Sequence, residues 1–317
     1  MRSLNSPEVY RNMGFWNEST QQALLETEVA IAGNGGTGNL VGMELARIGI
    51  QKFRIADPEI FDDVNSNRVM GARVDTIGRN KAEVLKEDIL EINPSAQVIT
   101  YLDGINIDNI EEFLSTADIA INGTELTKPE LGTMLARQAR VRKIGRAIVP
   151  VPVVDVEYIS YAGQGTVFDP TSTMTFERFM GVVGGEGAPL DEVADQSIDT
   201  SRYLAYLPHY GDLETLKAIQ NGAPLPSNMI GAGVAAQIGL SEVLKLTRKR
   251  AGEKTISPTY APSVRWYDAY THESGYTRHP RLSYYRHLGA VVFRNLLKTN
   301  EQASYTDEER ANRGDLG

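Results

Sequence analysis

The sequence predicts an α/β domain built on a parallel β-sheet, and three features carry that prediction. Short apolar runs of strand length alternate with longer amphipathic stretches over residues 28–151, the signature of strand–helix–strand units with right-handed crossovers. A glycine-rich turn joins the first apolar run to the first amphipathic one. After Pro152 the pattern changes to a period of two around Gly163-Gln164-Gly165, which reads as a hairpin.

Taken in order, residues 28–33 (EVAIAG) read as a buried strand that ends in glycine. Residues 38–48 read as a helix, with Val41, Leu45 and Ile48 on one stripe at i, i+4 and i+7. Leu40 and Met43 lie on its flank, so this helix is expected to be largely buried. A second strand covers 52–57 and ends in Asp57. Residues 81–92 form an amphipathic helix stopped by Asn93-Pro94. Strands are expected at 97–102, 118–122 and 146–151, with a helix near 128–141. The hairpin takes 155–168. Residues 169–228 are rich in Gly, Pro, Asp and Ser and read as a long, partly helical excursion; stretches of this length inside a domain are usually functional or mobile. A Gly/Ala-rich helix follows over 229–246, then a strand at 263–268, a helix at 284–297 and a loose polar tail at 300–317.

Composition narrows the functional classes. The chain has 317 residues, 41% hydrophobic and 23% charged, which supports a folded core. Lys+Arg is 32 and Asp+Glu is 41, so 32 − 41 gives −9. That balance argues against phosphate-backbone binding, and nucleic acid is not an expected partner. Cys is 0. That count excludes disulfides, cysteine-ligated zinc or iron–sulfur clusters, and any thiolate nucleophile or thioester. The N-terminus lacks an apolar leader, and no apolar run is read as reaching membrane-spanning length, so a cytoplasmic protein without membrane contact is expected.

The chemistry centres on Gly33-Asn34-Gly35-Gly36-Thr37-Gly38, between the first strand and the first helix. Glycines there let the backbone turn sharply and approach a phosphate favoured by the helix N-terminus. Asp57 ends the second strand 21 residues after Gly36 (57 − 36). Such an acid accepts hydrogen bonds from ribose hydroxyls, in NAD as well as in ATP, or simply caps the next turn. Asn65, Arg68 and Lys81 follow. Two cations delivered by a loop and a helix start suit a triphosphate better than a pyrophosphate diester. Singly, each reads as a solvated surface charge; their joint spacing favours the functional reading. His209, His272, His279 and His287 show no ligand spacing and read as surface or packed histidines. The basic stretches Arg137–Arg146 and Arg248–Arg250 read as solvated faces, and Tyr284-Tyr285 as packing of the last helix.

The set Gly33-x-Gly35-Gly36-x-Gly38, Asp57-x-Glu59, Asn65-x-x-Arg68, Gly78-x-x-Lys81 and Asn93-Pro94 resembles the ThiF/MoeB/HesA family, bacterial relatives of ubiquitin-activating enzymes. The match covers about Glu28 to Glu125. A weaker one runs from Gln237 through Glu242-Val243-Leu244-Lys245 to Arg265-Trp266-Tyr267-Asp268. Residues Thr171 to Asn228 have no counterpart. The resemblance implies a Rossmann-like nucleotide-binding domain whose mixed sheet has a parallel half and an antiparallel extension, assembled as a homodimer. It implies one adenylation domain over 1–317: an N-terminal helical arm at 1–27, a nucleotide-binding core at 28–168, a substrate-side insertion at 169–228, and sheet completion with a C-terminal helix at 229–317.

The implied activity is ATP-dependent adenylation of a carboxylate. The glycine loop, Asp57 and Glu59 would hold ATP. Asn65, Arg68 and Lys81 would contact its phosphates, Glu125 would hold magnesium, and Arg11 would reach the ATP of the partner subunit. Two departures from the family stand out. Glu125 replaces a shorter aspartate, and magnesium demands nearly octahedral oxygens at about 2.0–2.1 Å. The cysteines that other members use for thioester or persulfide chemistry and for zinc are absent, so the implied chemistry stops at the acyl adenylate or its capture by a non-thiol nucleophile. The substrate is expected to be a peptide, a small carboxylate or the C-terminus of a ubiquitin-like carrier protein; the absence of sulfur relay tilts towards the first two. The alternatives are a non-catalytic partner subunit of an adenylating complex and an NAD-linked oxidoreductase. The latter leaves Asn65, Arg68 and Lys81 unexplained.

Overall fold

The computed structural model describes residues 3–125, 127–196, 200–208, 211–220 and 226–304. After helix α1 (Glu18–Glu26), capped by the Asn17 side chain on Thr20 N, the chain enters β1 (Glu28–Ala32). Helix α2 (Gly36–Ile48) leads to β2 (Lys52–Ala56), and α3 (Lys81–Ile92) to β3 (Gln97–Tyr101). Helix α4 (Ile110–Leu114) precedes β4 (Ile119–Asn122), which is followed by α5 (Pro129–Val141). A small ribbon, β5 (Lys143–Ile144) with β6 (Ala147–Ile148), leads into the hairpin β7 (Val153–Ile159) and β8 (Ala162–Phe168). The excursion carries α6 (Phe176–Met180), α7 (Leu190–Ala194), α8 (Thr200–Tyr203) and α9 (Leu213–Gln220). Helix α10 (Met229–Arg250), β9 (Val264–Asp268), β10 (Ser274–Thr277) and α11 (Pro280–Ser304) complete the chain.

Eight strands form one mixed sheet in the order β10-β9-β8-β7-β4-β1-β2-β3. Strands β3, β2, β1, β4 and β7 run parallel, while β8, β9 and β10 extend the sheet antiparallel. Chain order departs from β1 in both directions, through β2 to β3 on one side and through β4 to β7 on the other. This is the switch point at which α/β sheets open a crevice beyond their carboxyl ends. Helices α2, α3 and α10 cover one face with Leu45, Leu85 and Ala235, and α4, α5, α6 and α11 cover the other with Phe113, Leu135, Phe176 and Val291.

Several sequence expectations need correction. Residues 146–151 do not form a sheet strand: only Ala147 and Ile148 pair, in the exposed ribbon, and the strand beside β4 is Val153–Ile159. Pro150 removes a ladder donor from the first segment, and the second, without proline, takes the place beside β4. The hairpin turn falls at Ser160-Tyr161, not at Gly163-Gln164-Gly165, which lies inside β8. Those glycines admit α10 instead. A Cβ on Gly163 would stand 2.5 Å from Ala235 N, and one on Gly165 would stand 2.7 Å from Ile238 Cγ2. Close approach of another backbone is the second use of glycine in strands.

By length and composition α10 is long and apolar enough to cross a membrane, contrary to the expectation that no such run exists. Here it packs against α2, β7 and β8 as a core helix. Helix α11 extends to Ser304, into the stretch expected to be loose, and residues 305–317 lie outside the described residues, as does His209. The basic stretch at the end of α5 is only partly a solvated face: Lys143 and Arg146 are exposed, but two of its arginines are engaged. Arg137 pairs with Glu177 at 2.7 Å, and buried Arg142 donates to Val149 O.

Candidate active site

The glycine loop leaves the carboxyl end of β1 at the switch point. Gly33 takes a φ of +86°, open to glycine at little cost, and donates its N–H to Ala56 O at 2.8 Å. A Cβ there would stand 2.3 Å from Gly123 O, and one on Gly38 would stand 1.9 Å from Gly33 O. The ends of β1 and β4 and the first turn of α2 are therefore closed on one another with no room for side chains. Gly35 differs: a Cβ there would meet no protein atom within 4 Å and would project into the open cradle before α2. The N–H groups of the first turn face the same side, where a helix favours an anion.

The non-glycine positions of the loop carry an unexpected signal. The Asn34 side chain is fully buried, yet neither its Oδ1 nor its Nδ2 has a hydrogen-bond partner, and Thr37 Oγ1 is likewise buried without one. Buried polar groups are normally satisfied, so orphans in a loop call for an explanation. Both residues fill the x positions of the glycine pattern, so nothing in that pattern singles them out.

Asp57 sits at the end of β2 and is buried. Its carboxylate accepts N–H bonds from Asn34 at 2.6 Å and Glu59 at 2.8 Å. It thus ties the glycine loop to the turn after β2, the capping use of such an aspartate, while standing beside the cradle. Burial pushes its pKa up, against those two N–H bonds and the Lys81 charge, which lower it. Lys81 opens α3, whose N-cap Asn80 accepts from Ala82 N and Glu83 N. Its ammonium is buried and lies 2.6 Å from Glu59 Oε2. Glu59 also faces Lys128 at 3.5 Å, and the hydrogen bond from Lys81 holds its carboxyl below the usual range.

Asn65 is buried, and its Oδ1 accepts from Asp62 N, so its side chain shapes the loop that presents Arg68. Arg68 donates to Val64 O at 2.7 Å and to Asn67 Oδ1 at 3.0 Å. It also hydrogen-bonds the Tyr158 hydroxyl, whose pKa burial raises against the Arg68 charge. That hydroxyl lies where a Cβ of Gly36 would be, at 2.5 Å. Tyr158 therefore bridges the glycine loop and the arginine, and the two-residue period of its strand carried no hint of that role.

Glu125 lies in the loop after β4, exposed, with Oε2 accepting from Thr127 Oγ1 at 3.2 Å. Earlier in the same segment, Asn122 ends β4 and donates from Nδ2 to Asp155 Oδ1 at 2.7 Å. Asp155 is buried on β7, and burial lifts its pKa to about 6. Glu157 follows on the same face. Its Oε1 is buried with no partner, and burial together with Asp155 drives its pKa well above the ordinary value. Arg11 stands elsewhere. It is exposed in the turn Pro7–Asn12, beside Asn12, which bonds Ile48 O at the far end of α2. The structure thus gathers the glycines, Asp57, Glu59 and Lys81 at the carboxyl ends of β1 and β2, brings Arg68 to them through Tyr158, and leaves Arg11 apart.

No cluster of three or more carboxylate or histidine ligands occurs among the described residues. Magnesium shared with a nucleotide needs one or two carboxylates, the remaining oxygens coming from phosphates and water. Glu125, solvent-facing beside the loop whose Gly123 abuts Gly33, fits that donor set.

Comparison with known proteins agrees with this layout. The family described as ThiF matches residues 9–283. The tRNA threonylcarbamoyladenosine dehydratase of Escherichia coli is 24% identical over 229 residues, covering 70% of this chain and 84% of that protein. The sulfur carrier protein ThiS adenylyltransferase of Escherichia coli is 25% identical over 152 residues, and the match spans 47% of this chain and 56% of that protein, a little over half its length. Among solved structures, Escherichia coli MccB with ATP superposes with a TM-score of 0.60 at 18% identity, over 86% of this chain and 71% of MccB, which shows the shared fold. With its glycine-loop crevice at the switch point of a mixed Rossmann-like sheet and a match across most of its length, the chain belongs to the ThiF family.

Proposed function

We propose that this chain uses ATP to adenylate the C-terminal carboxylate of a peptide, without passing the acyl group to a cysteine. The observation that carries the reading is the glycine cradle with orphaned Asn34 and Thr37 side chains, flanked by Asp57 and by the buried Lys81 ammonium. In the reaction a carboxylate oxygen forms a bond to the α-phosphorus. The bond from that phosphorus to the bridging oxygen of the β-phosphate breaks, and pyrophosphate leaves. The carboxylate is already ionised near neutral pH, so no general base is required.

The chain's residues then have distinct tasks. The glycine-loop N–H groups and the α2 terminus receive phosphate oxygens. Asp57 and Glu59 order the ribose side of the crevice. Lys81 and Arg68 balance charge on the transferring and leaving phosphates, with Tyr158 and Asn65 positioning Arg68. Glu125 would hold magnesium, which supplies further charge neutralisation on the phosphates when bound. Arg11 lies too far along α2 to serve its own crevice, which supports a homodimer in which it serves the partner's; sedimentation of the protein as a monomer under assay conditions would remove that role. An ATP-dependent reaction is in keeping with a cytoplasmic location.

The peptide is favoured over a carrier protein by the absence of cysteine, which rules out a sulfur relay through the enzyme. Calorimetric titration tests the nucleotide assignment. Mg-ATP is expected to bind, and Arg68→Ala and Lys81→Ala to weaken it by about tenfold or more each. Binding of NAD in place of Mg-ATP would overturn the reading.

A further inference from the structure

The end of the sheet opposite the glycine loop carries a cavity that adenylation does not use. It has a volume of about 610 Å³ and is walled by Arg178 of α6, Arg202 of α8, Arg278 of the β10–α11 link and Arg281 in the first turn of α11. Leu282 and Tyr285 supply an exposed apolar side. Among the described residues lining it there is no Asp or Glu, although the whole chain carries a net charge of −9.

The groups are partly pre-oriented. Arg178 donates to Thr173 O at 2.9 Å, which uses one of its five N–H donors. Arg278 hydrogen-bonds the Tyr276 hydroxyl, and the Arg281 guanidinium lies 6.0 Å from the Tyr285 ring centroid. The N-terminus of the long helix α11 adds positive potential at the same rim. Arginine and tyrosine around an apolar pocket are the residue types that anchor interfaces.

We propose that this cavity binds an acidic peptide segment, in which carboxylate side chains flank an apolar one. The carboxylates would take bidentate bonds from the arginines, and the apolar side chain would rest against Leu282 and Tyr285. An open groove that sets guanidinium groups beside an apolar side suits a peptide. A nucleic-acid backbone needs an extended basic track, which the acidic remainder of the chain opposes. Five strand spacings and one strand length separate the cavity from the glycine loop, about 30 Å, so roughly nine extended residues lie between a segment docked here and a carboxylate in the crevice.

Fluorescence anisotropy of a labelled peptide with glutamates flanking a leucine, titrated with the full chain, tests this directly. The peptide is expected to bind, to weaken as salt is raised, and to lose about tenfold or more in affinity with Arg178→Glu/Arg278→Glu. Exposed Leu282→Asp should weaken it independently. Both variants should keep the wild-type melting temperature and Mg-ATP binding, which separates this outcome from misfolding and from the nucleotide assignment. Absence of binding, equal binding of the glutamine counterpart, or full affinity in the double variant would overturn the proposal. Tighter binding of an RNA oligonucleotide through the same arginines would overturn the assignment to a peptide.

Discussion

Asp155 and Glu157 stand two residues apart on one face of β7, and neither meets a cation among the described residues. Asp155 accepts from Asn122, but burial still lifts its pKa from 3.8 to about 6. The folded state then holds a proton over a range in which the unfolded chain has lost it. Stability from this group therefore falls as pH rises from about 4 to about 6, and the cost is fully present above that window. A shift of about two units corresponds to at most about 3 kcal/mol. Glu157 acts in the same direction. Asp155→Asn keeps an acceptor for Asn122 and removes the charge. Denaturant unfolding should show it more stable than wild type by about 1–3 kcal/mol near pH 8, with little difference near pH 4. Equal effects at both pH values would contradict this account of the buried pair.

At the scale of elements, two glycines distinguish packing from ligand contact. Gly163 of β8 faces the α10 backbone, where a Cβ would stand 2.5 Å from Ala235 N. Gly163→Ala should lower stability by about 1–3 kcal/mol through overpacking. Gly35 has open space around its Cα, so Gly35→Ala should leave the melting temperature near wild type while Mg-ATP affinity falls. Thermal melts and calorimetry on both variants check the contrast; the same phenotype for both would refute it.

This pair also marks what a sequence can tell. Glycine at positions 33, 36 and 38 sat between an apolar run and an amphipathic one, so its use was legible from local order. Glycine at 163 and 165 signalled a turn by the same logic, yet its partner, α10, lies some seventy positions away and is invisible to local pattern. The helix at 81–92 was readable because its apolar period and its Asn93-Pro94 stop are local. Residues 146–151 contain Pro150, which cannot donate to a central ladder, whereas 153–159 are free of proline and pair with β4. The orphaned Asn34 and Thr37 side chains and the Tyr158–Arg68 link are tertiary facts with no sequence trace. Arg137 read as solvated because its partner, Glu177, belongs to the excursion forty residues on.

Across the whole molecule, the mixed sheet separates two kinds of chemistry. The carboxyl ends of its parallel strands hold the glycine loop, Asp57 and Lys81. The opposite end of its antiparallel extension holds the basic cavity, built jointly by the excursion and α11. If the crevice adenylates and the cavity binds peptide as proposed, binding energy from distant substrate groups would serve the reacting centre.

The measurement that bears most directly on the central claim is carboxylate-dependent exchange of labelled pyrophosphate into ATP, run with pools of short peptides. Adenylation predicts exchange that requires a free peptide C-terminus, disappears with C-terminally amidated peptides, and falls by about a hundredfold or more in Lys81→Ala. Exchange that persists undiminished in Lys81→Ala, or ATP turnover to ADP and phosphate without exchange, would contradict it.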